Sequence, residues 1–198
     1  MSNELADRYT EQNLIDPTSP AYLTYMLLEE PEMIEMHNKM IEESEETEEE
    51  KSDAEKIKSL STEDDFFKRM RKPVAGRNRQ RFYDAMKQNE GLITEMVKRR
   101  IMTSLNDNFI EAATAFFAKC EADHTQWIFD HYRDMRSPYT QSMMCLVLGI
   151  RGCHDIDAFL MKQELTFMET YPEERFEQGP IIALYLLHDM KEYLSLNK

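Results

Sequence analysis

Little in this chain would support a β-rich or cross-linked fold. Glycine occurs five times and proline seven in 198 residues, so the tight turns that hairpins need are few. Cysteine occurs three times, as Cys120, Cys145 and Cys153. The number is odd, and no C-x-x-C pair gives the paired-thiolate pattern of structural zinc sites. The longest apolar stretch, Met143 to Ile150, falls far short of the ~20 residues that cross a bilayer. No basic start followed by an apolar run occurs in the first thirty residues, so no secretion signal is read and a reducing cytosol is the expected compartment. A net charge of −14 opposes non-specific attraction to nucleic acid or an anionic membrane. A chain of this length buries about 70% of its unfolded surface and needs no staple.

What is abundant is Met, Glu, Lys, Leu and Ala, all good helix formers. Apolar residues recur at helical spacing in a series of short segments. Ser19-Pro20 reads as a cap and first position for a helix carrying Tyr22, Tyr25, Met26 and Leu28. After Pro31 a second helix carries Met33, Met36, Met40 and Ile41. The run from Glu42 to Glu50 has no apolar residue and reads as a solvated linker or a frayed helix end. Ser61 or Thr62 caps a short helix with Phe66, Phe67 and Met70. Further helices are predicted over 78–89, 92–103, 107–120, 124–135, 138–150, 155–170 and 180–194, the last carrying Tyr193. Asp107 and Asp155 are the expected caps of two of them. The 138–150 segment is apolar on nearly every side, which places it at the centre of the core.

Three segments share a pattern. Asp107-Asn108-Phe109-Ile110-Glu111-Ala112, Ser137-Pro138-Tyr139-Thr140-Gln141-Ser142 and Arg175-Phe176-Glu177-Gln178-Gly179 each set an aromatic residue two places before Glu or Gln, then a small residue. A rival register aligns Ser137-Pro138 with Gly179-Pro180. Either spacing, about 30 to 40 residues, suits two-helix repeats. Leu148-Gly149-Ile150-Arg151-Gly152-Cys153-His154-Asp155-Ile156-Asp157-Ala158-Phe159-Leu160 resembles the helix–turn–helix junction of HEAT-like repeats, with the match extending over 106–171. That resemblance implies a right-handed α-α superhelix of about three hairpins used for binding partners, with no reaction attached. The expected organisation is therefore all-α: a helical extension over 1–60 with an acidic linker at about 42–53, then a HEAT-like domain over 61–198.

Candidate chemistry is sparse. Cys120-x-x-x-His124, with His131 and Cys153-His154, contains ligand types but not the paired spacing of zinc sites, so buried thiols and surface imidazoles are expected, with no metal or cofactor. Cys145 sits in the most apolar helix, where burial makes a thiol inert. No catalytic residue is assigned. Arg69, Arg71, Lys72, Arg77, Arg79, Arg81, Arg99 and Arg100 belong to a basic segment, 68–100, that includes Phe82 and Tyr83 and reads as a polyanion or nucleic-acid footprint. The competing reading docks it on the acidic run 42–50. Trp127, Arg136, Tyr139, Arg151 and Tyr171 are interface anchors if exposed and packing residues if buried. The leading functional expectation is a protein–protein adaptor or scaffold, a second copy of the chain being among the candidate partners. The secondary expectation is polyanion binding through 68–100.

Overall fold

The computed structural model describes residues 14–74, 76–191 and 194. Eleven α-helices and a short 3-10 turn make up their regular structure, with no strand among them. The helices are α1 (Pro20–Glu29), α2 (Pro31–Glu42), α3 (Glu48–Lys58), α4 (Glu63–Met70), α5 (Asn78–Gln88), α6 (Glu90–Ile101), α7 (Asp107–Lys119), α8 (Thr125–His131), α9 (Pro138–Ile150), α10 (Asp157–Thr170) and α11 (Gln178–Leu187). The first thirteen residues of the expected extension, and Tyr193, lie outside the described residues.

Local chemistry sets most helix starts. Ser19 accepts from the Tyr22 amide and Ser137 from the Thr140 amide, each followed by Pro at the first position. Thr62 and Asp65 form a reciprocal capping box. Two expected caps are corrected. Asn106, not Asp107, accepts from the Phe109 amide at 2.9 Å. Asp155 adopts a left-handed conformation, φ 62°, and caps nothing; α10 begins two residues later. Together with Gly152 at φ 68° it turns the chain sharply between α9 and α10.

The acidic run is only partly a linker. Thr47 and Glu50 form a second capping box that starts α3, and Ala54 and Ile57 are buried. Acids in the first turn suit the helix dipole, which explains why so polar a stretch stays helical. On α2, Met36 and Met40 face solvent, while Met33, Ile34, His37 and Ile41 are half-buried. The apolar side read from the sequence is thus rotated by part of a turn.

α9 is the centre of the core: every residue from Ser142 to Gly149 is buried. It packs against α1, α7, α8 and α11. Its Met143, Met144, Leu146 and Leu148 are fully enclosed, each contributing about 1.5–3 kcal/mol of burial. α7, α9 and α11 run in the same direction, side by side. Glu111 meets Tyr139 and Cys120 meets Arg151 along one seam. Phe176 meets Tyr139, Gly179 meets Ser142, and Ala183 meets Gly149 along the other. A Cβ on Gly149 would lie 2.4 Å from the Ala183 Cα, and one on Gly179 would lie 2.0 Å from the Ser142 carbonyl oxygen. The two backbones therefore touch with no side chain between them. Two of these contacts, Tyr139–Phe176 and Ser142–Gly179, join positions that the first register of the sequence pattern aligns; Glu111–Tyr139, Cys120–Arg151 and Gly149–Ala183 do not follow it. The rival register fails locally, because Gly179 and Pro180 lie inside α11 and do not cap it.

α1 crosses this layer. At its start, Gln178 bonds the backbone of Leu14 and Asp16; at its end, Glu29 pairs with Lys119 at 2.7 Å. The sequence reading set residues 1–60 apart as an extension. In the structure Tyr22, Tyr25, Met26 and Ile57 join the same buried cluster as Phe82, Ile110 and Leu146.

Candidate functional site

Tyr83 on α5 and Leu27 on α1 lie at the meeting point of three adjoining cavities, of about 70, 220 and 340 Å³. Together these form a groove between the α1–α2 corner and α5, reaching α7. Its apolar lining is Leu27, Ile34, Ile41, Val74, Tyr83 and Ala112. The cations along it are Lys72, Arg77, Arg79, Lys87 and Lys119, against Glu42, Asp84 and Glu111. The helix that supplies Tyr83 also supplies Arg79, one turn earlier on the same face.

Electrostatics inside the groove follow from crowding. Burial pushes the Tyr83 phenol up, with Arg79 opposing. Glu111 meets solvent at its outer edge, yet crowding raises its carboxyl above the ordinary value; the Tyr139 hydroxyl, donating at 3.1 Å, works against that rise. Burial, then the nearby Arg79, lowers His37, and its Nε2 is enclosed without a hydrogen-bond partner among the described residues.

The basic segment divides sharply. Arg69 is buried, bonds Asp53 at 2.7 Å and the carbonyls of Lys72 and Pro73, and stacks on Phe82. Arg77 donates to the carbonyls of Ile41 and Ser44. Arg81 pairs with Glu46 at 2.8 Å and Arg99 with Glu63 at 3.3 Å. The chain thus answers four of these arginines itself, two of them from the stretch 41–46. Arg79, Arg71 and Arg100 have no ion pair among the described residues. Arg79 is half-buried in the groove. Arg71 and Arg100 are exposed and lie 5.5 and 4.3 Å from the Phe67 ring centre, beside a shallow 500 Å³ hollow lined also by Ser104 and Asn106. Lys72, also exposed, borders the groove.

The five expected anchors do not share one surface. Trp127 stacks with Phe117 and His131, and Lys98 Nζ lies 5.5 Å from its ring centre. Tyr139 stacks on Phe176 and donates to Glu111. Arg151 donates to the carbonyls of Cys120 and Ala122, clamping the α7–α8 turn. Tyr171 meets Phe176 edge-on. Arg136 alone of the five is exposed. None of the five lines the groove.

One cluster was not read from the sequence, and a second was read only in part, as Cys120-x-x-x-His124. The groove joins residues 27, 34 and 83, which look like ordinary helical apolar positions until their segments are placed. Glu90 stands beside Cys120 and His124, with a ligand atom from each within 4.8 Å of the others. Burial pushes the Cys120 thiol up to about 11, and burial lowers His124.

No family model, curated protein or solved structure matches the chain. The HEAT-like reading therefore has no relative behind it.

Proposed function

We propose that the protein is an interaction module whose groove takes an amphipathic, acidic segment of a partner protein. Arg79 carries this reading: it is a half-buried guanidinium on an apolar floor, with no ion pair among the described residues although Glu111 lines the same cavity, while Arg69, Arg77, Arg81 and Arg99 are all engaged. A buried or half-buried charge gains most from a partner that supplies the opposite charge. The floor is apolar enough to seat the hydrophobic side of a helix, the mode in which groove binding is read at i, i+3 and i+4. Tyr83 has the ring and the burial of an interface anchor. The layering of α7, α9 and α11 also favours the adaptor reading implied by the HEAT-like resemblance.

The test is fluorescence anisotropy with labelled amphipathic helical peptides that share an apolar face and differ in charge. Acidic peptides are expected to bind, with basic ones at least about tenfold weaker. Arg79→Glu should abolish that preference and Tyr83→Ala should weaken binding by about tenfold or more. Equal binding of both peptide classes, or binding indifferent to Arg79→Glu, refutes the reading.

A second reading rests on Arg71 and Arg100, both close to the Phe67 ring, an aromatic-plus-guanidinium arrangement suited to a polyanion. It requires binding to heparin or single-stranded nucleic acid that falls steeply with salt and is lost in Arg71→Ala/Arg100→Ala. Binding indifferent to that double change would remove it.

A further inference from the structure

We propose that Glu90, Cys120 and His124 form a zinc site, with one protein ligand each of oxygen, sulfur and nitrogen. This is independent of the groove. The ligand atoms lie within 4.8 Å of one another; ligands on a tetrahedral ion with bonds of about 2.0 to 2.3 Å stand roughly 3.3 to 3.8 Å apart, so a side-chain adjustment of about an ångström closes the site on an ion. The set is mixed and of intermediate softness, which suits zinc over magnesium or calcium.

Two observations point to a ligand rather than chance proximity. His124 Nε2 is buried and has no hydrogen-bond partner among the described residues. Such an atom is destabilising as it stands, and a metal bond would satisfy it. The turn that holds Cys120 and His124 is also fixed from both sides. Glu90 accepts from the Glu121 and Ala122 amides, one on each carboxylate oxygen, at 2.7 and 2.9 Å. Arg151 donates to the Cys120 and Ala122 carbonyls. Each Glu90 oxygen keeps a lone pair for a cation, and the two amides orient it, as outer partners do around metal ligands. Phe117 packs edge-on against the His124 ring at 5.6 Å and limits its rotation. On binding, Cys120 gives its proton to solvent as the sulfur–zinc bond forms, and water completes the fourth position. The charges of thiolate, carboxylate and zinc then sum to zero, so the nearby Arg151 and Lys98 do not face a net positive centre. The sequence alone shows only Cys120-x-x-x-His124, because the third ligand sits on α6, thirty positions earlier.

The experiment uses the full, untagged chain, stripped with a chelator and titrated with cobalt(II), then with zinc. A thiolate-to-cobalt charge-transfer band with intense visible bands of tetrahedral cobalt is expected, displaced by zinc. Cys120→Ser should abolish the charge-transfer band, and His124→Gln or Glu90→Gln should weaken binding at least about tenfold. Cys145→Ser and Cys153→Ser should leave it unchanged. Zinc-edge X-ray absorption on the wild-type chain needs no variant and should show one sulfur at about 2.3 Å with nitrogen or oxygen at about 2.0 Å. A zinc shell without sulfur, the absence of a charge-transfer band at saturating cobalt, or a band that disappears with Cys153 and not with Cys120 overturns the proposal.

Discussion

Burial separates the three thiols. Cys145 is enclosed in α9 beside the Tyr132 hydroxyl, and burial pushes it up to about 12. Cys120 is also buried, whereas Cys153 is half-exposed. In the metal-free chain an alkylating reagent at neutral pH is expected to modify Cys153 first, and Cys120 and Cys145 only after denaturant is added; peptide mapping by mass spectrometry reads the order. His37 gives a pH dependence of defined sign. Its folded pKa lies below the ordinary 6.5, so the unfolded chain takes up the proton first as pH falls. The stability associated with its neutral form is complete above about pH 6.5 and declines as pH drops toward the folded value. Urea midpoints between pH 7 and pH 5 should fall less steeply in His37→Gln than in the parent. If an acidic peptide occupies the groove, the His37 titration seen by NMR should move upward. Residue-level features of this kind were only half legible. That Cys145 would be buried followed from its position in an apolar helix. The isolation of Arg79 did not, because nothing local distinguishes it from Arg77 or Arg81, two residues either side. Those neighbours find acceptors on the stretch 41–46, and only the placement of that stretch decides which arginine is left over.

At the level of elements, the α9–α11 seam and the capping boxes carry the sharpest expectations. Gly179→Ala should destabilise the chain by about 1–3 kcal/mol or more, since the added methyl meets the Ser142 backbone rather than a side chain that can swing away. Gly91→Ala is the matched control: nothing lies within 4 Å of its Cβ position on α6, and the change should stabilise by up to about 1 kcal/mol. Chemical denaturation of the two variants side by side gives the sign of each. Thr62→Ala removes one half of a capping box and should cost about 1 kcal/mol. Helix existence was readable because apolar spacing, Ser-Pro starts and scarce glycine all agreed. Caps beside two polar candidates were not: Asn106 and Asp107 are equally competent as types, and backbone geometry selects the first. The helical nature of 48–58 was hidden because so polar a stretch has only Ala54 and Ile57 to bury.

For the molecule as a whole, α1 decides how the parts hold together. Its Ala21, Tyr22, Tyr25, Met26 and Leu28 are buried against the layer of α7, α9 and α11. Removing residues 1–60 would strip that cover and expose apolar faces of three helices. The fragment 61–198 is expected to bind a hydrophobic dye and to lack the single sharp calorimetric transition expected of the full chain. An unchanged transition would mean that the later helices form a self-sufficient unit. The central place of α9 was legible because a helix without a polar side has to be surrounded. The role of α1 was not, because its apolar face says that it is covered without saying by what. The two contact points Gly149–Ala183 and Ser142–Gly179 act as a longitudinal stop. Helices separated by long side chains can slide past each other by small amounts when a ligand binds. Here backbone abuts backbone at two levels, so translation of α9 along α11 would drive Cα atoms into carbonyl oxygens. Any motion that accompanies occupation of the groove must then fall on the α1–α2–α5 side, and amide hydrogen exchange should slow there while α9 and α11 stay equally protected in both states.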